Sequence, residues 1–76
     1  MKMLYLFKKI NLQSEYKNVI YDVKNTKNMI DLLEEKYNYV DNDIQEYYAY
    51  ELIILKEKYK RMLNNAKNLN KKIEKM

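Results

Sequence analysis

Two apolar stripes in this chain mirror each other about a point between Asn42 and Asp43. Reading outward, Tyr37 faces Tyr48, Leu33 faces Leu52, Ile30 faces Leu55, Thr26 faces Tyr59 and Val23 faces Met62. Val19 then faces Ala66, Tyr16 faces Leu69 and Leu12 faces Ile73. Along the first half the stripe runs Leu12, Tyr16, Val19, Val23, Thr26, Ile30, Leu33, Tyr37, Val40, stepping alternately by four and three residues. Along the second it runs Gln45, Tyr48, Leu52, Leu55, Tyr59, Met62, Ala66, Leu69, Ile73, Met76 in the same way. A mean step of about 3.5 residues holds one helical stripe against a partner. Because the two stripes match in mirror order, the partner of each half is the other half, and the chain is expected to fold as an all-α antiparallel two-helix hairpin of coiled-coil type. Small entries meet large ones: Thr26 lies opposite Tyr59, and Ala66 sits next to the large Tyr16 and Leu69 layer, which lets the layers interdigitate.

The stretch Val40-Asp41-Asn42-Asp43 between the stripes is short enough to make the helices antiparallel neighbours, so the turn is expected near residues 41–43, with helix one over about 12–40 and helix two over about 44–74. The chain has no Gly and no Pro, which leaves Asn and Asp to make the turn. Asp43 with Glu46 three residues on reads as a capping pair, with Asp41 as the rival cap. Asn11 or Ser14 offers a cap for helix one, which would leave residues 1–11 as a separate basic and apolar segment. Asn64, Asn65, Asn68 and Asn70 are poor helix formers, and the last two turns are expected to fray.

Of 76 residues, a folded chain buries only about 60% of its unfolded surface, so a second copy or a protein partner is expected. The absence of Cys excludes a disulfide framework and agrees with a reducing interior. The start, Met1 to Ile10, lacks the long apolar run and small-residue cleavage site of a secretion signal, and no window has the ~20 apolar residues of a membrane span. The expected location is cytoplasmic, at most peripheral to a membrane, where Leu4, Phe7 and Lys8 would lie at the headgroup boundary.

Catalytic chemistry lacks its parts. There is no His, no Cys and no Gly-rich phosphate loop; the one Ser is Ser14, and the one Thr, Thr26, belongs to the seam. Glu34, Glu35 and Glu46 read as solvated carboxylates rather than an acid/base pair. Asp41-Asn42-Asp43 begins like a calcium loop, but Glu46 stands where the tight-turn Gly belongs. No catalytic residue, metal or cofactor is expected.

Charge is sorted along the chain. Residues 1–29 carry six Lys against two acids, residues 30–55 one Lys against seven acids, and residues 56–76 eight bases against two acids, giving +4, −6 and +6. Folding at the turn makes one end acidic and brings both basic arms together at the open end. Lys60, Arg61, Lys67, Lys71, Lys72 and Lys75 are therefore candidate polyanion ligands. Binding to nucleic acid or an anionic membrane would be non-specific and salt-sensitive, because a single Arg and no groove-reading motif supply little base readout.

A second apolar set lies off the seam: Leu32 and Tyr39 in the first half, Tyr47, Tyr50, Ile53 and Ile54 in the second. Contiguous exposed apolar patches usually mark an interface, and Tyr gives large contact area with a wet polar tip. Two hairpins packing these faces would make a four-helix bundle, the expected homo-oligomer. The competing reading is that residues 3–10 fold back over this set.

The stretch Tyr37-Asn38-Tyr39-Val40, then Glu46-Tyr47-Tyr48-Ala49-Tyr50-Glu51-Leu52, then Lys58-Tyr59 and Ala66-Lys67, resembles the YaaL-like family of small proteins of unknown function from low-GC Gram-positive bacteria. The resemblance covers roughly residues 30–68, and the Tyr-Tyr-x-Tyr-Glu-Leu run is its most specific part. Where such proteins tend to have small or polar residues, this chain has Ile53, Ile54 and Leu55. The resemblance implies a cytoplasmic helical hairpin, brings no catalytic or ligand residue, and adds slight weight to nucleic acid because some members sit near recombination-repair and sporulation genes.

Overall fold

Between Met3 and Tyr37 nothing interrupts a helix: Leu, Met, Lys and Glu propagate it, and the scattered Asn residues cost less than breaking it would. A computed structural model describes residues 2–75, Lys2 by its backbone alone, and contains two helices, α1 (Lys2–Tyr37) and α2 (Asn42–Glu74). They lie side by side as an antiparallel hairpin 61 Å long and 14 by 13 Å across. The all-α hairpin is the fold that the mirrored stripes require.

Several expected boundaries differ from those observed. Residues 2–11 are not a separate segment but the first turns of α1, and Asn11 and Ser14 are exposed interior positions of that helix rather than caps. Residues 3–10 therefore cannot cover the off-seam set near the turn, because a continuous helix carries them to the opposite end of the rod. At its other end α1 stops at Tyr37, short of Val40. The last carbonyls are satisfied there by a turn, in which Tyr39 N–H donates to the Lys36 carbonyl at 3.0 Å, and by the Gln45 side-chain amide, which donates to the Tyr37 carbonyl at 2.9 Å. Asp41 is the N-cap of α2, but its carboxylate makes no capping hydrogen bond. Asp43 falls inside the first turn, so the expected Asp43 and Glu46 capping pair does not form; Asp43 instead places negative charge at the positive end of the helix dipole. Helical geometry continues through the four Asn of the last turns to Glu74, where Asn70 Nδ2 donates to Glu74 Oε1 at 3.2 Å.

The seam is the core. Val23, Thr26, Ile30, Leu55, Ala66 and Leu69 are buried, and the other described seam positions, from Leu12 to Val40 and from Gln45 to Ile73, are half-buried. Met76 lies outside the described residues. Contacts across the seam stay close to the mirrored register: Tyr37 lines a groove with Ala49 and Leu52, Tyr16 lines another with Asn70 and Ile73, and the Thr26 hydroxyl donates to Met62 Sδ at 3.6 Å. Tyr5 and Lys9 continue the stripe toward the N-terminus, but by this register no described α2 residue lies opposite residues 2–8. Met3, Leu4, Leu6 and Phe7 on that overhang are exposed.

Candidate interaction surfaces

A helix turns about 100° per residue, so the positions flanking the seam fall on two opposite faces of the hairpin. On α1 one face takes Ile10, Lys17, Ile20, Lys24, Lys27 and Glu34; on α2 it takes Ala49, Ile53, Lys56, Lys60, Leu63 and Lys67. An ion pair between Lys56 Nζ and Glu34 Oε1 at 3.0 Å joins the two helices on this face. Its members are about half exposed, which limits the pair to roughly 0–1 kcal/mol. Beside it runs a shallow groove lined by Glu34, Tyr37, Ala49, Leu52, Ile53 and Lys56.

The opposite face carries Met29, Leu32 and Lys36 from α1, and Ile44, Tyr47, Glu51, Ile54, Lys58 and Arg61 from α2. The off-seam set is therefore not one patch. Leu32, Tyr47 and Ile54 share this second face, where Met29 and Ile44 join them, all exposed by 44% or more. Tyr39 sits in the turn at the tip, 86% exposed. Tyr50 points off the back of α2, and Ile53 belongs to the groove on the first face. Consecutive residues such as Ile53 and Ile54 are about 100° apart and cannot both face one partner. Met29 and Ile44 were not among the expected interface residues; their signal was the seven-residue spacing of Met29 from Lys36 and of Ile44 from Glu51, and the turn-proximal level they share with Leu32 and Tyr47. The Tyr47 and Tyr48 rings lie 6.3 Å apart at 51°, an oblique contact that props the exposed Tyr47 against a seam residue.

All six candidate cations, Lys60, Arg61, Lys67, Lys71, Lys72 and Lys75, are exposed, but they ring the rod rather than line it. Lys60 and Lys67 lie on the first face, Arg61, Lys72 and Lys75 on the second, and Lys71 on the back of α2. The mirrored register sets Lys24 beside Lys60 and Lys17 beside Lys67, a four-lysine ladder along the first face whose rungs are about 10.5 Å apart. Lys17 and Lys24 are exposed and were overlooked because they lie on the other helix, seven residues apart.

Among the described residues, the pKa of Lys27 is raised because its ammonium donates to Asp31 Oδ1 at 3.0 Å and is attracted by that carboxylate. Both side chains are more than half exposed, and the pair reads as a solvated i,i+4 contact. Among the described residues no group of three or more metal-binding side chains occurs, and no helix is long and apolar enough to cross a membrane. No family model, curated protein or solved structure matches the chain. The likeness to the YaaL-like family thus rests on the residue runs between 30 and 68 alone, and the surfaces have to be interpreted from their own chemistry.

Proposed function

We propose that this chain is a non-enzymatic helical interaction module, which self-associates or docks on a protein partner through the turn-proximal face of Leu32, Tyr47 and Ile54. The observation that carries this reading is the clustering of five large apolar side chains, Met29, Leu32, Ile44, Tyr47 and Ile54, on one face of one half of a rod. The other half of that face holds Asn11, Asn18, Asn25, Asn65 and Asn68, so the apolar surface has a boundary, as a binding patch does. Light scattering behind size exclusion tests it. The chain should elute above its 9.4 kDa mass, and the double substitution Ile54→Lys with Tyr47→Glu should return it to that mass with helicity unchanged. A variant whose mass and binding are unaltered would refute the proposal.

A second reading is supported by the paired Lys17, Lys24, Lys60 and Lys67 on the opposite face. In this reading the open end neutralises phosphates of single-stranded nucleic acid or an anionic lipid surface, with affinity that falls steeply as salt rises. Adding a short labelled single-stranded oligonucleotide to the same runs separates the two. Salt-insensitive assembly that ignores the oligonucleotide supports the first, and a monomer that captures it only at low salt supports the second.

A further inference from the structure

We infer that the outward face of α1, from Met3 to Lys24, lies on an anionic phospholipid surface, with the apolar overhang at the start of α1 sunk into the boundary between headgroups and acyl chains. The inference rests on the reading of the open end as a ligand for anionic groups and commits that reading to lipid, through a face to which Lys17 and Lys24 belong.

The apolar pattern of α1 inverts at its start. From Leu12 onward the regular apolar positions face α2, but on the overhang the continuing seam positions hold Tyr5 and Lys9, and the apolar residues Met3, Leu4, Leu6, Phe7 and Ile10 fall outside the seam. At about 100° per residue these five fill an arc of about 160° centred opposite Tyr5, on the side of α1 that faces away from α2. Each of them is more than half exposed, and α2, lying on the other side of α1, cannot cover them. An arc of nearly half the circumference is what a helix lying in a membrane interface immerses, with its other half in water. Here the other half carries Lys8, Lys9 and Tyr5.

Charge identifies the medium. In seven-residue steps the row of Met3 and Ile10 continues to Lys17 and Lys24, and the row of Phe7 continues to Ser14, Tyr21 and Asn28. The rows of Leu4 and Leu6 add Asn, Gln, Ile20 and Lys27, so this face of α1 holds no carboxylate before Asp31. Glu15 and Asp22, the two acids of that stretch, stand in the row of Lys8 beside the seam. Lys17 and Lys24 are exposed, and Tyr21 is 66% exposed. An apolar arc followed by acid-free rows with lysines and a tyrosine complements an anionic membrane surface, with acyl chains under the overhang and phosphates within reach of the flexible Lys stems. A nucleic acid would supply the phosphates but leave the apolar arc in water. Beyond Lys27, which Asp31 already holds at 3.0 Å, the same rows turn to Asp31, Glu34 and Glu35, which an anionic surface repels. The contact therefore runs about 32 Å from Met3 to Lys24, and the acidic turn end, with Leu32, Tyr47 and Ile54, stands free in water.

Flotation of the whole chain with lipid vesicles tests this. Binding is expected to vesicles of equal parts phosphatidylserine and phosphatidylcholine, and not to vesicles of phosphatidylcholine alone. Leu4→Glu with Phe7→Glu should abolish it, and Lys17→Gln with Lys24→Gln should weaken it about 25-fold, a factor of about five for each Lys at the surface. All four positions are exposed and off the seam, and circular dichroism verifies that each variant stays helical. The chain has no Trp, so Phe7→Trp is a single fluorescent probe: its emission should shift to the blue with anionic vesicles, whereas that of Tyr50→Trp, on the back of α2, should not. A chain that ignores the anionic vesicles, or that binds them equally well after Leu4→Glu with Phe7→Glu, overturns the inference. If that chain still captures the labelled oligonucleotide at low salt, the anionic-ligand reading survives the failure. A Phe7→Trp emission that shifts to the blue on self-association without vesicles gives the overhang to a second copy and overturns the inference as well.

Discussion

Replacing Thr26 by Val should stabilise the hairpin. Thr26 is only 5% exposed, in the seam, and its hydroxyl donates to the Met62 thioether of α2 at 3.6 Å. Burying a hydroxyl without a good hydrogen bond costs about 1–3 kcal/mol in proteins, and sulfur is a weak acceptor that recovers only part of that. Val keeps the β-branched shape and has nearly the same helix propensity, so the backbone is unaffected. A net gain of about 1 kcal/mol follows, which for a domain of this size raises Tm by about 4–8 °C. Thermal unfolding followed by circular dichroism at one fixed protein concentration measures it, since self-association also shifts Tm. Thr26→Ser is the control: it keeps the hydroxyl, removes the methyl, and should lower Tm. If Thr26→Val leaves Tm unchanged or lowers it, the hydroxyl is better satisfied than its geometry indicates and the reasoning fails.

Gln45→Ala removes the amide that satisfies the Tyr37 carbonyl and should cost about 0.5–1.5 kcal/mol in the same melts, whereas Asp41→Ala, at a cap with no side-chain hydrogen bond, should cost less. The reverse ranking would mean that the turn is held by its Asp after all. For the basic end, Lys17→Glu, Lys24→Glu, Lys60→Glu and Lys67→Glu combined should abolish any salt-sensitive capture of oligonucleotide and leave helicity intact; capture that persists in this variant would remove these lysines from consideration.

What the sequence made legible was the part fixed by periodicity. Each described seam position, including the unlikely Thr26 and Gln45, is buried or half-buried, because a heptad stripe has one orientation once its partner is known. Termini were harder. Asn11 and Ser14 look like caps in isolation, but a cap signal decides a boundary only where the preceding residues resist helix, and Met3 to Ile10 do not. The same limit applies to Asp43, whose neighbour Asp41 sits two residues closer to the end of α1. The off-seam surface was legible as composition and not as geometry. Leu32, Tyr39, Tyr47, Tyr50, Ile53 and Ile54 are all exposed, yet they occupy two faces, a back and a tip, and this emerges only when each is given its angle around its own helix.

The mirrored register also orders the events of folding. Tyr37 and Tyr48 are 11 residues apart in the chain, Ile30 and Leu55 are 25, and Leu12 and Ile73 are 61. Each doubling of the loop to be closed adds only about 0.6 kcal/mol of lost chain entropy, so the outermost layer costs about 1.5 kcal/mol more than the innermost to bring together from an open chain. Once an inner layer has formed, the next outward layer encloses only a few further residues, and the helices close like a zip from the turn. Contacts near Gln45 and Leu52 then belong to the barrier, whereas those near Leu69 and Ile73 form after it. Substitutions at the two ends of one continuous core are thereby assigned opposite kinetic effects: slower folding near the turn, and faster unfolding near the open end.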